Sequence, residues 1–249
     1  IDTFTTWNNV RVRAGQNLVV IASNTILRVE GQSRYEGTLL IQGQGQLNIT
    51  GATTSFQLLG DVALTGGTAQ GSQRIDVSSG AVAEIGHVET SPDQLCYLTS
   101  TGAGSVLTIK ETSRIENASV SASGRISLPA LDELIATSVT VSGAGNFDAP
   151  LLAAINGPAT GINYIQVWDD GTLGTPLLSS LVNMGIQAIN GGILELPLLT
   201  EFRVEAGCGE QLIVSSGERS VGGRSSLVSL PALESLTYLA QNFCTGFNI

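Results

Sequence analysis

One proline slot recurs five times in the second half of the chain. From Gly124 onward a small residue is followed by an apolar residue, Pro, Leu and a further apolar residue at constant offsets of two, five, seven and ten positions. The prolines are separated by 21, 26, 21 and 34 residues and are five of the seven in the chain. They are Pro129, Pro150, Pro176, Pro197 and Pro231. Because Pro has no backbone N–H, the slot indicates a fixed corner where no ladder hydrogen bond is donated.

Short segments of alternating polarity fill the space between these corners. Examples are Val139 to Val141, Ile165 to Val167 and Ile186 to Ala188. Alternation with a period of two is typical of a strand with one buried face. A repeat of this size cannot bury its apolar face alone, but stacked copies bury a continuous column. The sequence therefore predicts an all-β fold, a single parallel β-helix or β-solenoid with coils of about 20–26 residues and right-handed winding.

The first half keeps the strand rhythm but lacks the proline slot. Apolar triplets such as Leu39 to Ile41 and Leu47 to Ile49 are separated by Gly, Asn, Ser or Thr. We expect one domain over residues 1–249, with Gly/Thr-rich coils over 1–123 and Leu-Pro-x-Leu corners over 124–249. An antiparallel sandwich, which also uses short strands and turns, is the alternative. It does not explain a proline that recurs at the spacing of one coil.

The composition excludes several classes of partner. The chain of 249 residues has 13% charged residues, a net charge of −10 and a single Lys, Lys110. Phosphate binding needs clustered Lys and Arg, so we expect no nucleic-acid partner. Apolar runs such as Leu18 to Ala22 are too short to cross a bilayer, so we expect no membrane insertion. The acidity and the scarcity of Lys favour an extracellular or cell-surface location.

The three cysteines fit no metal-binding motif. Cys96, Cys208 and Cys244 are widely spaced, and their number is odd. A bridge between Cys208 and Cys244 would leave Cys96 as a buried apolar residue, and three reduced cysteines are the alternative. A bridge would support an oxidising compartment.

Two runs in the first half resemble a known class of protein. The segments Gly37 to Gly43 and Gly45 to Gly51 both follow a Gly-x-Leu-x-Ile-x-Gly pattern or a close variant of it. They resemble the β-solenoid regions of large bacterial surface and secreted proteins, such as adhesins, haemagglutinin-like proteins and autotransporter passengers. The Leu-Pro-Ala-Leu corners at Leu128 to Leu131 and Leu230 to Leu233 resemble repeats of the same class. The resemblance implies the solenoid fold and an extracellular setting, but solenoids serve many functions.

The best local cluster for chemistry is the run from Trp168 to Gly171. Its paired acids, Asp169 and Asp170, resemble those of polygalacturonase-like hydrolases, which share the β-helix fold. The resemblance implies that they act as catalytic acid and base. The Gly-His-Gly and Arg-Ile-Lys motifs of that family are absent, since His87 precedes Val88 and Lys110 precedes Glu111. The alternative is an acidic turn after a strand.

The same run also predicts a ligand-binding patch. Tyr164 and Trp168 are four residues apart, so in a strand they share one face. With Asp169 and Asp170 they are our candidate ligand-binding residues. We assign no catalytic residue and no metal site, and we expect no cofactor. The alternative is a calcium ion held by Asp148, Asp169 or Asp170.

The sequence leaves two functions to be distinguished. The first is a non-enzymatic structural or adhesive module that presents long parallel sheets to an extracellular protein or polysaccharide. The second is a carbohydrate-active β-helix that binds or hydrolyses a polysaccharide around Trp168–Asp170. Unpaired strand edges at the ends of a solenoid also predict end-to-end or side-by-side self-association.

Overall fold

The computed structural model describes residues 4–12, 18–65, 72–205, 213–216 and 225–238, and all of its regular structure is β. Parallel strands stack into a β-solenoid, which confirms the predicted fold class. Within the described residues no helix is long and apolar enough to cross a membrane. The handedness and the single-domain assignment stay predictions.

The strands are short and follow one another at every turn of the chain. The first twelve are β1 (Thr5–Asn8), β2 (Arg11–Val12), β3 (Leu18–Ile21), β4 (Ile26–Glu30), β5 (Gln32–Tyr35), β6 (Thr38–Gln42), β7 (Gln46–Thr50), β8 (Ser55–Thr65), β9 (Gln73–Ser78), β10 (Val82–Glu89), β11 (Cys96–Thr101) and β12 (Val106–Ile109). The next eight are β13 (Arg114–Glu116), β14 (Ala118–Ala122), β15 (Arg125–Ser127), β16 (Glu133–Ile135), β17 (Ser138–Val141), β18 (Asn146–Asp148), β19 (Ala154–Asn156) and β20 (Asn163–Trp168). The remainder are β21 (Thr172–Gly174), β22 (Ser180–Val182), β23 (Met184–Ile189), β24 (Ile193–Glu195), β25 (Glu201–Val204), β26 (Ile213–Ser216), β27 (Leu227–Ser229) and β28 (Ser235–Tyr238).

Each coil contributes one strand to each of three faces. Sheet A takes the first strand of every coil and runs β1-β4-β7-β9-β11-β14-β17-β20-β23-β26. Sheet B takes the second, in the order β2-β5-β8-β10-β12-β15-β18-β21, and β24 pairs with β27 at the same place in the last coils. Sheet C takes the third and runs β13-β16-β19-β22-β25-β28. In the first coils β3, β6 and the second halves of β8 and β10 provide this third face.

The core is a column of aliphatic side chains between the three faces. Alternate residues of sheet A point inward, and each lies directly over its counterpart in the next coil. The side chains of the central column are each at most 1% exposed, so this column is removed from water. Its members in sheet A include Leu27, Leu47, Ile75, Leu98, Val120, Val139, Ile165 and Ile186.

The small residue of the repeat lies at the corner between sheets A and B. A Cβ atom on Gly145 would lie 2.2 Å from the carbonyl oxygen of Ala122 in the preceding coil. At Gly192 the corresponding distance is 2.1 Å, to the carbonyl oxygen of Val167. At Gly145 and Gly192 the backbones of successive coils therefore approach so closely that a side chain would clash, whereas the fifth copy of the repeat has Ser226 at this position.

The proline slot forms a tight turn between sheets B and C. The N–H of Leu131 donates to the carbonyl of Leu128 at 3.1 Å, and the other four corners repeat this bond over three residues. Pro takes the second position of each turn, where its fixed φ is favourable and no N–H is needed. The Leu after it is fully buried at Leu131, Leu152, Leu178 and Leu199. The apolar residue three positions on, such as Leu134 in β16, is the buried centre of the sheet C strand.

The first half turns the same corner with glycine. β8 pairs with β5 through residues 55–58 and with β6 through residues 62–65, so the strand changes face around Gly60. A Cβ on Gly60 would lie 2.2 Å from the carbonyl oxygen of Gly37. β10 changes face at Gly86, where its register with β8 shifts.

Where the two halves meet, hydrogen bonds to side chains take the place of backbone hydrogen bonds between strands on the third face. β10 does not pair with β13, but the N–H of Val88 donates to Thr112 Oγ1 at 2.7 Å. The same hydroxyl donates to the carbonyl of Val88 at 3.1 Å, and the Thr112 side chain is fully buried. Four residues after Thr112, at the end of β13, the N–H of Glu116 donates to Thr90 Oγ1 at 2.8 Å. The third face is therefore continuous in hydrogen bonding although its strands change.

Three further residues lie in the interior or pack against it. Cys96 is 1% exposed and free, and burial raises the pKa of its thiol to about 12. Met184 is fully buried, and the ring centroids of Trp7 and Tyr35 are 5.7 Å apart. Cys208 and Cys244, and with them the predicted bridge, lie outside the described residues.

Candidate functional site

The predicted acidic pair lies at the corner between sheets A and B. Asp169 has a φ of 54°, its N–H donates to the carbonyl of Ile189 at 3.1 Å, and Gly171 closes the turn onto Trp168. Asp169 and Asp170 line a depression of about 200 Å³ together with Glu195 of β24. Glu195 was not identified from the sequence, because the irregular coil length hides which residue of the next coil lies beside the turn.

The predicted aromatic pair lies on the outer surface of sheet A. Tyr164 and Trp168 alternate in β20 with the buried Ile165 and Val167, so they share one face as the spacing predicts. Their cross-strand neighbours in β23 are Gly185 and Ile189. The depression at the acidic corner is lined by residues of the corner and of the next strands, 169–173, 193 and 195, and by neither aromatic ring. The structure thus brings the acids together and the aromatic residues together, on adjoining surfaces.

A second region of sheet A, which the sequence did not single out, is concave and polar. Two depressions of about 740 Å³ and 470 Å³ adjoin on its first strands and share Arg28 and Thr50. We call the two depressions together the polar trough; its lining extends from Asn8 of β1 to Thr99 of β11 and includes Phe4, Arg28, Glu30, Asn48, Thr50, Arg74 and Asp76. Its residues come from successive coils, so their distances along the chain give no local motif.

Ion pairs hold both guanidinium groups of the polar trough. Arg28 Nε lies 2.7 Å from Glu30 Oε1, and Arg74 Nη1 lies 3.7 Å from Asp76 Oδ2. The Arg74 guanidinium also stacks over the Tyr97 ring, 4.9 Å from its centroid. Burial raises the pKa of Asp76, and the charge of Arg74 opposes that shift. The trough therefore presents fixed donors and acceptors with no net charge among these four ionised side chains.

Two features of the polar trough are unusual for a protein surface. The side-chain oxygen of Asn48 is buried and has no hydrogen-bond partner in the structure. Phe4, which precedes β1, is 60% exposed, the second highest value among the described large apolar side chains. An exposed aromatic ring is costly in water, and a bound ligand that covered the ring would remove this cost.

The other ionisable side chains named from the sequence are dispersed. His87 Nδ1 lies 3.4 Å from Thr112 Oγ1 on the third face, while Lys110 Nζ lies 2.6 Å from Glu84 Oε1 on sheet B. Asp148 faces Arg125 at 3.5 Å. No group of three or more His, Cys, Asp or Glu in the part of the chain that the structure describes is placed to hold a metal ion.

The proline corners form an apolar ridge along the second half. The residue that follows Pro is exposed in the three turns where it is Leu, with Leu151, Leu177 and Leu198 46–51% exposed, and partly buried in the two turns where it is Ala. A depression of about 400 Å³ borders the ridge between Pro176, Pro197 and neighbouring residues of sheet B. The ridge originates in the turn geometry: around Pro197, for example, Leu196 and Leu199 are buried and Leu198 is exposed.

Charge is unevenly distributed between the two ends. Residues 1–75 contain five Arg and four Asp or Glu, whereas residues 76–249 contain six Lys or Arg and seventeen Asp or Glu. Most of the polar trough belongs to the first group. It is therefore in the least acidic part of the molecule.

Comparison with known proteins gives no family to which the chain can be assigned. No family model, no curated protein and no solved structure matches it. The function must therefore be inferred from the chemistry of the surfaces described above.

Proposed function

We propose that this chain is a non-enzymatic structural and adhesive module of an extracellular or cell-surface protein. The observation that carries the proposal is sheet A, an unbroken stack of ten parallel strands. At about 4.8 Å per strand it extends roughly 43 Å along the axis of the solenoid. A surface of this kind can act both as a rigid spacer and as a contact face for a polymer.

The outward side of sheet A favours contact rather than catalysis. One column of cross-strand neighbours on β11 to β23 is made of hydroxyl and amide groups, in the order Thr99, Ser121, Thr140, Gln166 and Gln187. Gln166 Nε2 donates to Gln187 Oε1 at 2.7 Å, and Thr140 Oγ1 donates to Gln166 Oε1 at 3.4 Å. Such a ladder is pre-organised, so binding to it costs little side-chain entropy.

Binding without turnover tests this proposal. The purified protein is exposed to immobilised neutral polysaccharides, acidic polysaccharides and fibrous extracellular proteins, and binding is measured by biolayer interferometry. The same polysaccharides are assayed for release of reducing ends. We expect binding to at least one polymer and no release. Failure to bind any of the polymers, or turnover of a polysaccharide, would contradict the proposal.

The acidic corner supports a carbohydrate-active β-helix as the second candidate. Glycoside hydrolysis uses two carboxylates that flank the scissile bond, and Asp169, Asp170 and Glu195 line one depression. Under this reading Asp169→Asn, Asp170→Asn and Glu195→Gln each reduce turnover by at least about a hundredfold. Asp148→Asn, which neutralises an outward carboxylate on sheet B, is the matched control and leaves turnover unchanged.

A further inference from the structure

We infer that the polar trough binds an extended, uncharged polysaccharide along the axis of the solenoid. The inference rests on the proposed adhesive function, and it names the site and the class of ligand. The trough is separate from the acidic corner and from the predicted Tyr164–Trp168 patch, which lie several coils away on β20 and the turn that follows it.

The polar groups of the polar trough match the hydroxyl groups of a sugar. A hydroxyl both donates and accepts a hydrogen bond, and it is best held between a fixed donor and a fixed acceptor. Arg28 with Glu30, and Arg74 with Asp76, each provide such a pair in adjoining parts of the trough. The ion pairs also fix the guanidinium planes, so fewer rotamers are lost when a ligand binds.

Phe4 supplies a contact that a water-facing surface does not need. The exposed ring of Phe4 lines the same depression as Asn48. An aromatic face can pack against the C–H face of a pyranose ring while the sugar hydroxyls reach the polar groups beside it.

The arrangement of the trough favours a linear polymer over a small molecule. Its lining comes from five successive strands of sheet A, from β1 through β4, β7 and β9 to β11. Four spacings of about 4.8 Å give a length of roughly 19 Å along the axis. A chain lying along the axis would meet a new set of side chains at each coil.

The charges favour an uncharged ligand over an acidic one. Both guanidinium groups of the trough already have a carboxylate partner. The molecule as a whole carries −10, which repels a polyanion at low ionic strength. A neutral polysaccharide avoids this repulsion and still makes every hydrogen bond described above.

The test is binding of soluble β-glucan, mannan and xylan oligosaccharides, with oligogalacturonate as the charged comparator. Titration calorimetry compares the unaltered chain with Arg28→Gln/Arg74→Gln and with Phe4→Ala. The matched control is Arg114→Gln/Arg125→Gln, which removes the same charge from sheets C and B. We expect the trough double variant to bind at least about tenfold more weakly and Phe4→Ala about fivefold, with the control within about twofold. Affinity should change less than about twofold between 50 and 500 mM salt.

Each other outcome overturns the inference in a recognisable way. Binding that persists in both trough variants but is lost in Tyr164→Ala/Trp168→Ala moves the site to the aromatic patch and leaves the adhesive function standing. A preference for oligogalacturonate, or a steep loss of affinity with salt, rejects the uncharged ligand. Binding to fibrous protein alone rejects the ligand class but not the adhesive function. Phe4 lies outside the strands, so Phe4→Ala tests the site even where the double variant lowers the unfolding temperature.

Discussion

The two halves of the solenoid turn the same corner with different chemistry. In the first half the strand passes from sheet B to the third face through Gly60 and Gly86, without a break in β8 or β10. In the second half a Pro turn separates the strands of sheets B and C. The Gly corner needs fewer residues, because one strand continues through two faces, but it brings the backbones of neighbouring coils into contact. The Pro corner adds residues and relieves that contact.

The comparison shows which positions tolerate change. At a Gly corner the nearest atom is a backbone carbonyl of the neighbouring coil, which cannot move without distorting the sheet. At a Pro corner the residue between Pro and the buried Leu faces water, and it is Ala in two copies and Leu in three. At this corner, sequence freedom therefore lies in the second half and steric constraint lies in the first, whereas the corner between sheets A and B is also constrained in the second half, at Gly145 and Gly192.

The largest effect is expected for Gly60→Ala. The new Cβ would lie 2.2 Å from the carbonyl oxygen of Gly37, so the two coils must separate. We expect a loss of more than about 4 kcal/mol in the free energy of unfolding, measured by urea denaturation. Gly86→Ala is the internal comparison, since its nearest atom is 3.0 Å away, and it should cost about 1–3 kcal/mol. Equal losses in the two variants would contradict the steric account.

Thr112→Val tests the junction between the halves. The substitution keeps the shape of the side chain but removes the hydroxyl that bonds both the N–H and the carbonyl of Val88. Two buried backbone groups lose their partner, so we expect a loss of about 2–4 kcal/mol in the free energy of unfolding. Thr108→Val, at an outward position of β12, should change stability by less than about 0.5 kcal/mol. A junction variant as stable as this control would mean that Val88 is satisfied by other groups.

The buried Cys96 thiol can be used to test whether the two halves of the core unfold together or separately. The pKa of its thiol is about 12 in the folded protein and 9.0 in the absence of burial. Above pH 9 the unfolded chain loses the proton while the folded chain keeps it, so stability falls as the pH rises from 9 towards 12, by about 1 kcal/mol per unit. Below pH 9 the thiol makes no pH-dependent contribution.

Cys96→Ala should abolish this part of the pH dependence, which urea denaturation at pH 8 and pH 10.5 can measure. Labelling of the thiol should follow global unfolding. Labelling at a lower urea concentration than global unfolding would show that the two halves separate at β11.

The smallest effect is expected for Pro150→Ala. The turn already forms a hydrogen bond from the N–H of Leu152 to the carbonyl of Ala149 at 3.1 Å, and it persists without Pro. Only the restriction of the unfolded chain is lost, so the free energy of unfolding should fall by about 0.4–1 kcal/mol. Leu152→Ala, which empties a fully buried site in the same turn, should cost about 2–5 kcal/mol in the same assay. A proline variant that loses as much as the leucine variant would show that the turn itself depends on Pro.

The sequence predicted the second half better than the first for a physical reason. A residue without an N–H can occupy few places in a coil, so five prolines gave the register of five corners. In the first half the inward column passes from Leu27 to Leu47, Ile75 and Leu98, at intervals of 20, 28 and 23 residues. Without a marker at the corner, such intervals cannot be read from the sequence.

Inward polar residues hid other elements. β5 was not identified, because its inward positions are Ser33 and Tyr35, and Ser33 is buried to accept a hydrogen bond from the N–H of Val10. Gln73 is fully buried in β9 and donates to Gln94 at 2.6 Å. Polar residues at these positions are typical of loops, so the sequence pattern does not indicate an inward strand position there. The polar trough was missed for a related reason, since its residues are neighbours only through the stacking of coils.

The direction of the ladder bonds determines how such a rod responds to force. In sheets A, B and C every interstrand bond lies along the axis of the solenoid, so tension between its two ends stretches the bonds one coil at a time instead of shearing many at once. Coils should then detach singly from an end, and each would release a chain of about 20 residues, roughly 70 Å when extended. A solenoid that links two attachment points would therefore unfold in steps under tension, and the chain would lengthen before the link breaks.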